Sequence, residues 1–242
     1  MPNNELNSLV LRRYEAAQTL AGRILLNLHV ELQRLHASWL ADGGAMVKRG
    51  FDAFASFLLL VFLSPLFALI AVLVKLEDGG PLFFAQTRVG QFGREFKMYK
   101  IRSMCLDAEQ RLKELVEKNH HKEGVTFKIK DDPRITRVGK WLRKFSFDEL
   151  PQLYNVLIGD MSLVGPRPPL PREVSKYSLA HRRRLAVKPG ITCIWQISGR
   201  SEIDFSGQVQ LDVDYIESQG FWVDVKILAK TIPAVLSGKG AC

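Results

Sequence analysis

The sequence predicts an α+β protein, mainly α. It combines a re-entrant membrane hairpin of helix, break and helix with a helix-rich cytoplasmic domain that carries a small β-hairpin. Three observations support this. One uncharged apolar run has the length of a membrane helix and a Ser-Pro pair at its middle. Patterns with three- and four-residue spacing dominate the remainder. One short segment of strand character folds back between glycines.

The 242 residues include 34 Lys+Arg against 25 Asp+Glu, and 47% are apolar. Mean hydropathy is −0.01. These values exclude a disordered chain and a polytopic membrane protein, and they allow a sizeable core. The net charge of +9 calls for an anionic partner: nucleic acid, a phospholipid surface or a phosphorylated small molecule. Three scattered cysteines make neither a disulfide framework nor a zinc site, and a reducing compartment is expected.

Residues 1–45 read as an amphipathic helical extension. Leu6, Val10, Tyr14, Ala17, Ala21, Ile24, Leu28, Leu32, Leu35 and Trp39 form its apolar stripe, and Gly43-Gly44 ends it. Such a stripe suits the membrane surface, the main domain or a second copy in a homodimer.

Residues 46–76 hold the membrane helix, with 22 uncharged residues between Asp52 and Lys75. Pro65 removes a backbone donor and bends the helix, and the Ser64 hydroxyl is placed to satisfy a carbonyl that Pro65 frees. Each half reaches about 15 Å, half of a ~30 Å hydrocarbon core. Six Lys+Arg lie in residues 1–50 and six more in residues 75–102. A helix that turns at Ser64-Pro65 keeps both basic flanks, and both termini, on the cytoplasmic side. Lys48 and Arg49 would then meet lipid headgroups. A Pro-kinked single span fits the same residues.

Residues 77–242 read as the cytoplasmic domain. A β-hairpin spans residues 81–104, turned at Gly90–Gly93, and a charged helix follows over 104–119. Residues 128–144 carry a net +5, and residues 174–187 and 208–236 read as helical on either side of the loop KPGITCIWQISGR.

Asp148-Glu149 is the acidic pair of interest. Ser146-Phe147-Asp148-Glu149 has capping-box spacing, so a plain helix start is one reading. Its neighbourhood gives another: Arg143 precedes it, Arg167 sits in the stiff Pro166-Arg167-Pro168 unit, and residues 128–144 are basic. A carboxylate among guanidiniums at a helix N-terminus is expected to stay ionised beside an anion site. Asp212-Val213-Asp214 has the D-x-D form used by metal-dependent glycosyltransferases that release UDP, but it reads as a solvated helix face. Asp131-Asp132-Pro133 reads as a turn. Arg182-Arg183-Arg184 and residues 128–144 admit a membrane-tethered nucleic-acid module, yet no recognition signature accompanies them, and nucleic acid is not the expected partner.

Several segments together resemble the bacterial sugar transferase family, the monotopic polyprenol-phosphate phosphoglycosyl transferases. They are KRGFD at 48–52, Ser64-Pro65, PLFFAQTRVG at 81–90, YKIRSM at 99–104, DDPRITRVGKWLRKFSFDELPQLYNVLIGDMSLVGPRP at 131–168 and KPGITCIWQISGR at 188–200. The likeness covers residues 46–240, and the chain reads as a compact member with a helical extension. The resemblance implies transfer of a sugar 1-phosphate from a UDP-sugar to undecaprenyl phosphate, release of UMP, Mg²⁺ and a re-entrant helix at the bacterial inner membrane. It also implies Asp148 as nucleophile, with Glu149 supporting the metal or placing the acceptor.

Phosphoryl charge needs cationic donors. Arg143 and Arg167 are the first candidates, with Lys100 and Arg134 beside them. Gly190, Thr192, Gln196 and Arg200 mark an expected nucleotide loop. In that loop Cys193 replaces a glycine usual in the family, which would matter if the position needed positive φ.

Overall fold

In the computed structural model, the described residues are 43–108, 110, 111, 132–199 and 203–237, with Thr19 and Ile24 as isolated positions. The rest of the amphipathic extension, the end of the charged helix, residues 128–131 and Arg200 lie outside them. The chain divides into two compact units, residues 1–48 and 49–242.

Helix α1 (Gly43–Phe62) and helix α2 (Ser64–Asp78) are bent by 58° at the break between them. Among the described residues no single helix is long and apolar enough to cross a membrane, whereas the two helices of this bent pair together have the length and composition to do so. The break follows the expected chemistry. Pro65 has no N–H for the Val61 carbonyl, and Ser64 Oγ donates to that carbonyl at 2.8 Å. Phe54, Phe57, Val61, Phe62, Leu69, Val72 and Leu76 stay exposed on the pair. Gly79 ends α2 in a left-handed conformation (φ 68°), its N–H on the Lys75 carbonyl.

Strands β1 (Phe83–Val89) and β2 (Glu95–Ile101) pair antiparallel in the expected hairpin, with Phe84 opposite Lys100 and Arg88 opposite Phe96. Helix α3 (Arg137–Lys144) is capped by the Thr136 side chain, which accepts from the Gly139 N–H. After a 3₁₀ turn (Phe147–Glu149), helix α4 (Gln152–Ile158) runs to β3 (Ser162–Val164). Short helices α5 (Pro171–Val174) and α6 (Leu179–Arg182) lead through a 3₁₀ turn (Arg183–Leu185) to β4 (Gly190–Thr192) and α7 (Ile194–Ser198). The stretch 174–187, expected to be mainly helical, is made of short helical pieces. Helices α8 (Phe205–Ser218) and α9 (Phe221–Ser237) complete the chain.

The parallel β3–β4 pair, which sets Ser162 against Gly190 and Val164 against Thr192, was not expected from the sequence. Two glycines make it possible. A Cβ on Gly190 would meet the Gly165 nitrogen at 2.1 Å, and one on Gly165 would meet the Lys188 oxygen at 2.5 Å.

Two apolar clusters hold the second unit together. Met98, Leu153, Val156, Met161, Leu163, Val164, Tyr215 and Ile227 join the hairpin, α4, β3, α8 and α9. Ile70 and Val74 of α2 pack with Ile101 and Leu142, against which Phe147 also rests. A boundary drawn at residue 76 by composition is therefore bridged by shared core. Arg49 adds a polar link, its guanidinium donating to the last carbonyls of α4, Val156 at 2.5 Å and Leu157 at 2.7 Å. The buried Asp52 carboxylate accepts from Ser162 Oγ at 2.7 Å and the Leu163 N–H at 3.3 Å.

Candidate active site

Asp148 and Glu149 lie on the 3₁₀ turn between α3 and α4, not on the first turn of an α-helix. The capping-box reading is corrected here: Ser146 is left-handed (φ 55°) and its side chain caps nothing. Its N–H closes the end of α3 on the Arg143 carbonyl at 3.1 Å, and α4 starts instead from Pro151. Phe147, packed towards α2, anchors the turn, and the next side chain, Asp148, is buried at 8% exposure.

The two carboxylates have different environments. Burial pushes the Asp148 carboxyl above the ordinary carboxylate range; Lys100 opposes this, Glu149 adds to it and Arg143 again opposes it. Burial works on Glu149 as well, but Lys100, Arg167 and Arg88 outweigh it and hold that carboxyl below its ordinary value. Lys100 Nζ donates to Glu149 Oε1 at 2.7 Å. Arg143, its own pKa lowered by burial, donates from Nε to Ser103 Oγ at 2.9 Å and acts on Asp148 through its charge.

An open cleft of about 310 Å³ faces this turn, lined by Arg88, Lys100, Glu149, Gln152, Arg167, Gly190 and Gln196 among others. Its far wall is the β3–β4 junction, where the Gly190 N–H donates to the Pro166 carbonyl at 2.9 Å. That bond holds the Pro166-Arg167-Pro168 unit in place and leaves Arg167 exposed to the cleft. Five of the anticipated residues, Lys100, Glu149, Arg167, Gly190 and Gln196, therefore line one space.

Others are engaged elsewhere. Arg134 is buried against Asp132, its Nε donating to Oδ1 at 2.8 Å. Thr192 shares a hydroxyl hydrogen bond with Thr231 at 2.8 Å. Arg49, anticipated at lipid headgroups, bonds α4 as described. Lys48 belongs to the first unit. The D-x-D pair is not a solvated face as a whole. Asp212 is 1% exposed, lies in an ion pair with Arg184, and is pushed up to about 6 by burial, with Arg184 pulling against that. Asp214 is exposed and accepts from Gln210 Nε2 at 2.8 Å.

Cys193 has φ −149°, an extended backbone open to any residue, so its substitution for glycine strains nothing. Its buried thiol donates to Gln196 Oε1 at 3.1 Å, and burial raises its pKa well above the ordinary value, as expected of an inert cysteine.

Sequence reasoning missed Arg88, Gln152 and Asn155. Arg88 and Val89 are both buried at the end of β1, so strand alternation carried no signal for the arginine. Asn155 is wholly buried; its Nδ2 donates to the Lys97 carbonyl at 2.8 Å and its Oδ1 accepts from the Tyr99 N–H at 3.0 Å. It thereby holds the edge of β2 that carries Lys100.

No group of three or more His, Cys, Asp or Glu side chains suited to a metal occurs among the described residues. Glu149 lines the cleft, and the buried Asp148 stands beside it on the same turn, so the two offer adjacent carboxylate oxygens. This pair fits Mg²⁺, which takes one or two carboxylates and completes its shell with phosphate and water.

Fold and site together define the class: a helix-rich body that sets two adjacent carboxylates on a turn beside a cationic cleft and packs on the second helix of a bent apolar pair. The chain belongs to the bacterial sugar transferase family, whose model matches residues 43–238. It is 56% identical over 166 residues to the galactosyl transferase CpsE of Streptococcus agalactiae serotype III, covering 68% of this chain and 37% of that protein. It is 42% identical over 201 residues to the exopolysaccharide production protein ExoY of Sinorhizobium fredii, covering 82% of this chain and 89% of that one. It is 41% identical over 215 residues to the undecaprenyl-phosphate galactose phosphotransferase of Salmonella typhimurium, covering 88% and 45%. The chain thus spans less than half of two of these relatives and most of the third.

Proposed function

We propose that this chain transfers a sugar 1-phosphate from a UDP-sugar to undecaprenyl phosphate, releasing UMP, in the first membrane step of surface polysaccharide synthesis. The observation that carries the reading is the Asp148-Glu149 turn, which faces Lys100, Arg143 and Arg167 and packs through Phe147 on α2. The names of the relatives support the acceptor and the pathway.

The ionised Asp148 carboxylate attacks the β-phosphorus of the donor. A carboxylate-oxygen to phosphorus bond forms, the bond from that phosphorus to the bridging oxygen breaks, and its electron pair leaves with UMP. An oxygen of the lipid phosphate then attacks the same phosphorus, and the Asp148 carboxylate departs. Burial makes Asp148 the more basic of the two carboxylates, as suits a nucleophile, while Glu149, kept ionised by Lys100, suits a ligand role. Asp148 and Glu149 would hold Mg²⁺, which when bound offsets charge on the phosphoryl oxygens. Lys100 and Arg167 orient the phosphates, and Arg143 steadies the Asp148 anion. One phosphoanhydride replaces another, so no further energy source is required.

The bent α1–α2 pair is read as a re-entrant hairpin at the cytoplasmic face of the inner membrane, with both termini cytoplasmic. A periplasmic C-terminal reporter would refute that topology. For the reaction, full-length protein with UDP-sugar, Mg²⁺ and undecaprenyl phosphate should release UMP; release of UDP would overturn the reading. Asp148→Asn should lower turnover by at least about 10³-fold and abolish covalent labelling from a donor labelled in the sugar phosphate. A panel of UDP-sugars scored by UMP release identifies the donor.

A further inference from the structure

Arg88 differs from the other buried arginines described in the second unit, Arg134 and Arg184. Each of those lies in an ion pair with a carboxylate. Among the described residues no ion pair is found for Arg88, although it is only 6% exposed. Its Nη1 donates to the Pro168 carbonyl at 3.0 Å and its Nη2 to Gln86 Oε1 at 2.7 Å. Both partners are neutral. Its Nε is buried with no hydrogen-bond partner.

The guanidinium lines the same cleft as Lys100, Glu149 and Arg167. Burial, and then the like charge of Arg167, pull its pKa down to about 10, so it remains a cation at neutral pH. Glu173 and Glu149 pull the other way through their charge alone, with no ion-pair contact, and a desolvated cation left so is costly, the more so with a second cation beside it. The one cleft carboxylate with a described ion pair, Glu149, already accepts from Lys100. The charge and the vacant donor are both answered by one kind of ligand: an anion with several acceptor oxygens seated in the cleft.

We infer that Arg88 is a phosphate-binding residue of the cleft, acting with Arg167 on the side away from Lys100. This rests on the phosphoglycosyl-transfer reading for the identity of the ligands, not for the need of an anion. Two phosphates enter that reaction, one on the nucleotide and one on the lipid, and the same chemistry recognises both. The competing account makes Arg88 a strut that fixes the Pro168 carbonyl, so that its loss lowers stability and leaves ligand affinity unchanged.

The test is binding to the full-length protein in detergent, measured by calorimetry with UMP and, separately, with a short-chain polyprenyl phosphate. Arg88→Met is expected to weaken one of the two by at least about ten-fold. Loss for UMP assigns Arg88 to the donor, and loss for the lipid assigns it to the acceptor. Arg88→Lys keeps the charge and loses the planar fork; it is expected to show a similar loss and carries the test if Arg88→Met does not fold. Wild-type affinity for both ligands in either folded variant overturns the proposal and leaves the strut. If the wild-type protein binds both ligands yet releases no UMP, the phosphoglycosyl reading fails separately and the role of Arg88 stands.

Discussion

Replacing Asn155 with alanine tests how the fold places the site. The side chain is wholly buried and satisfies two backbone groups on the edge of β2 away from β1: the Lys97 carbonyl and the Tyr99 N–H. Alanine leaves both without a partner, and water has no direct way in. Each unsatisfied group costs about 1–3 kcal/mol, so the pair costs about 2–6 kcal/mol. For a chain of this size about 2–4 °C of melting temperature follows each kcal/mol, so a central value of about 4 kcal/mol lowers Tm by roughly 8–16 °C. Lys100, next along the strand, loses its fixed position against Glu149, and a displacement of about 1 Å is expected to reduce turnover roughly 100-fold. Circular dichroism melting in detergent and UMP release well below the melting temperature read the two effects separately. A Tm within about 2 °C of wild type would refute the argument that Asn155 holds β2.

Further outcomes follow from the same structure. Gly190→Ala drives a methyl into the Gly165 backbone and should cost several kcal/mol with loss of UMP release, seen as reduced soluble yield and a lower Tm. Asp132 is held below its ordinary value of 3.8, first by its hydrogen bonds from Arg134. Its contribution to stability is present above about pH 4 and is lost as pH falls through the lowered value. Asp132→Asn should therefore destabilise at pH 7 and show a shallower acid limb in a pH series of melts. Asp214→Ala removes the exposed half of the D-x-D pair and should leave UMP release within about two-fold of wild type; a metal-dependent loss would favour the UDP-releasing glycosyltransferase.

The features legible in the sequence were those with local causes. Ser64-Pro65 predicted the bend and the Val61 carbonyl that Ser64 satisfies, because proline chemistry acts within four residues. Gly90–Gly93 predicted the hairpin turn. Features made by distant partners were not legible. Strands of three residues have no period to read, so β3 and β4 emerge only from the Gly165–Gly190 approach. Ser146-Phe147-Asp148-Glu149 had the spacing of a cap, but α3 ends across it, and local spacing cannot tell a helix end from a helix start. Asp212 looked solvated because its partner, Arg184, lies 28 residues away. Arg143, Arg167 and Lys100 were found through charge, whereas Arg88 was hidden by burial in a strand.

Arg49 and Asp52 stand one helical turn apart on α1 and grip the two ends of the α4–β3 connection. Their grip makes α1 a fixed-length post. On the proposed re-entrant reading, the height of Asp148 relative to the apolar helix pair would be set by protein geometry and not by the thickness of the lipid. In a re-entrant setting, an acceptor phosphate has to rise to that height on its own chain. Acceptors of graded length should then differ in how often they reach Asp148 while reacting at the same rate once there. A body cut free at residue 77 would lose the post together with the partner of Ser162.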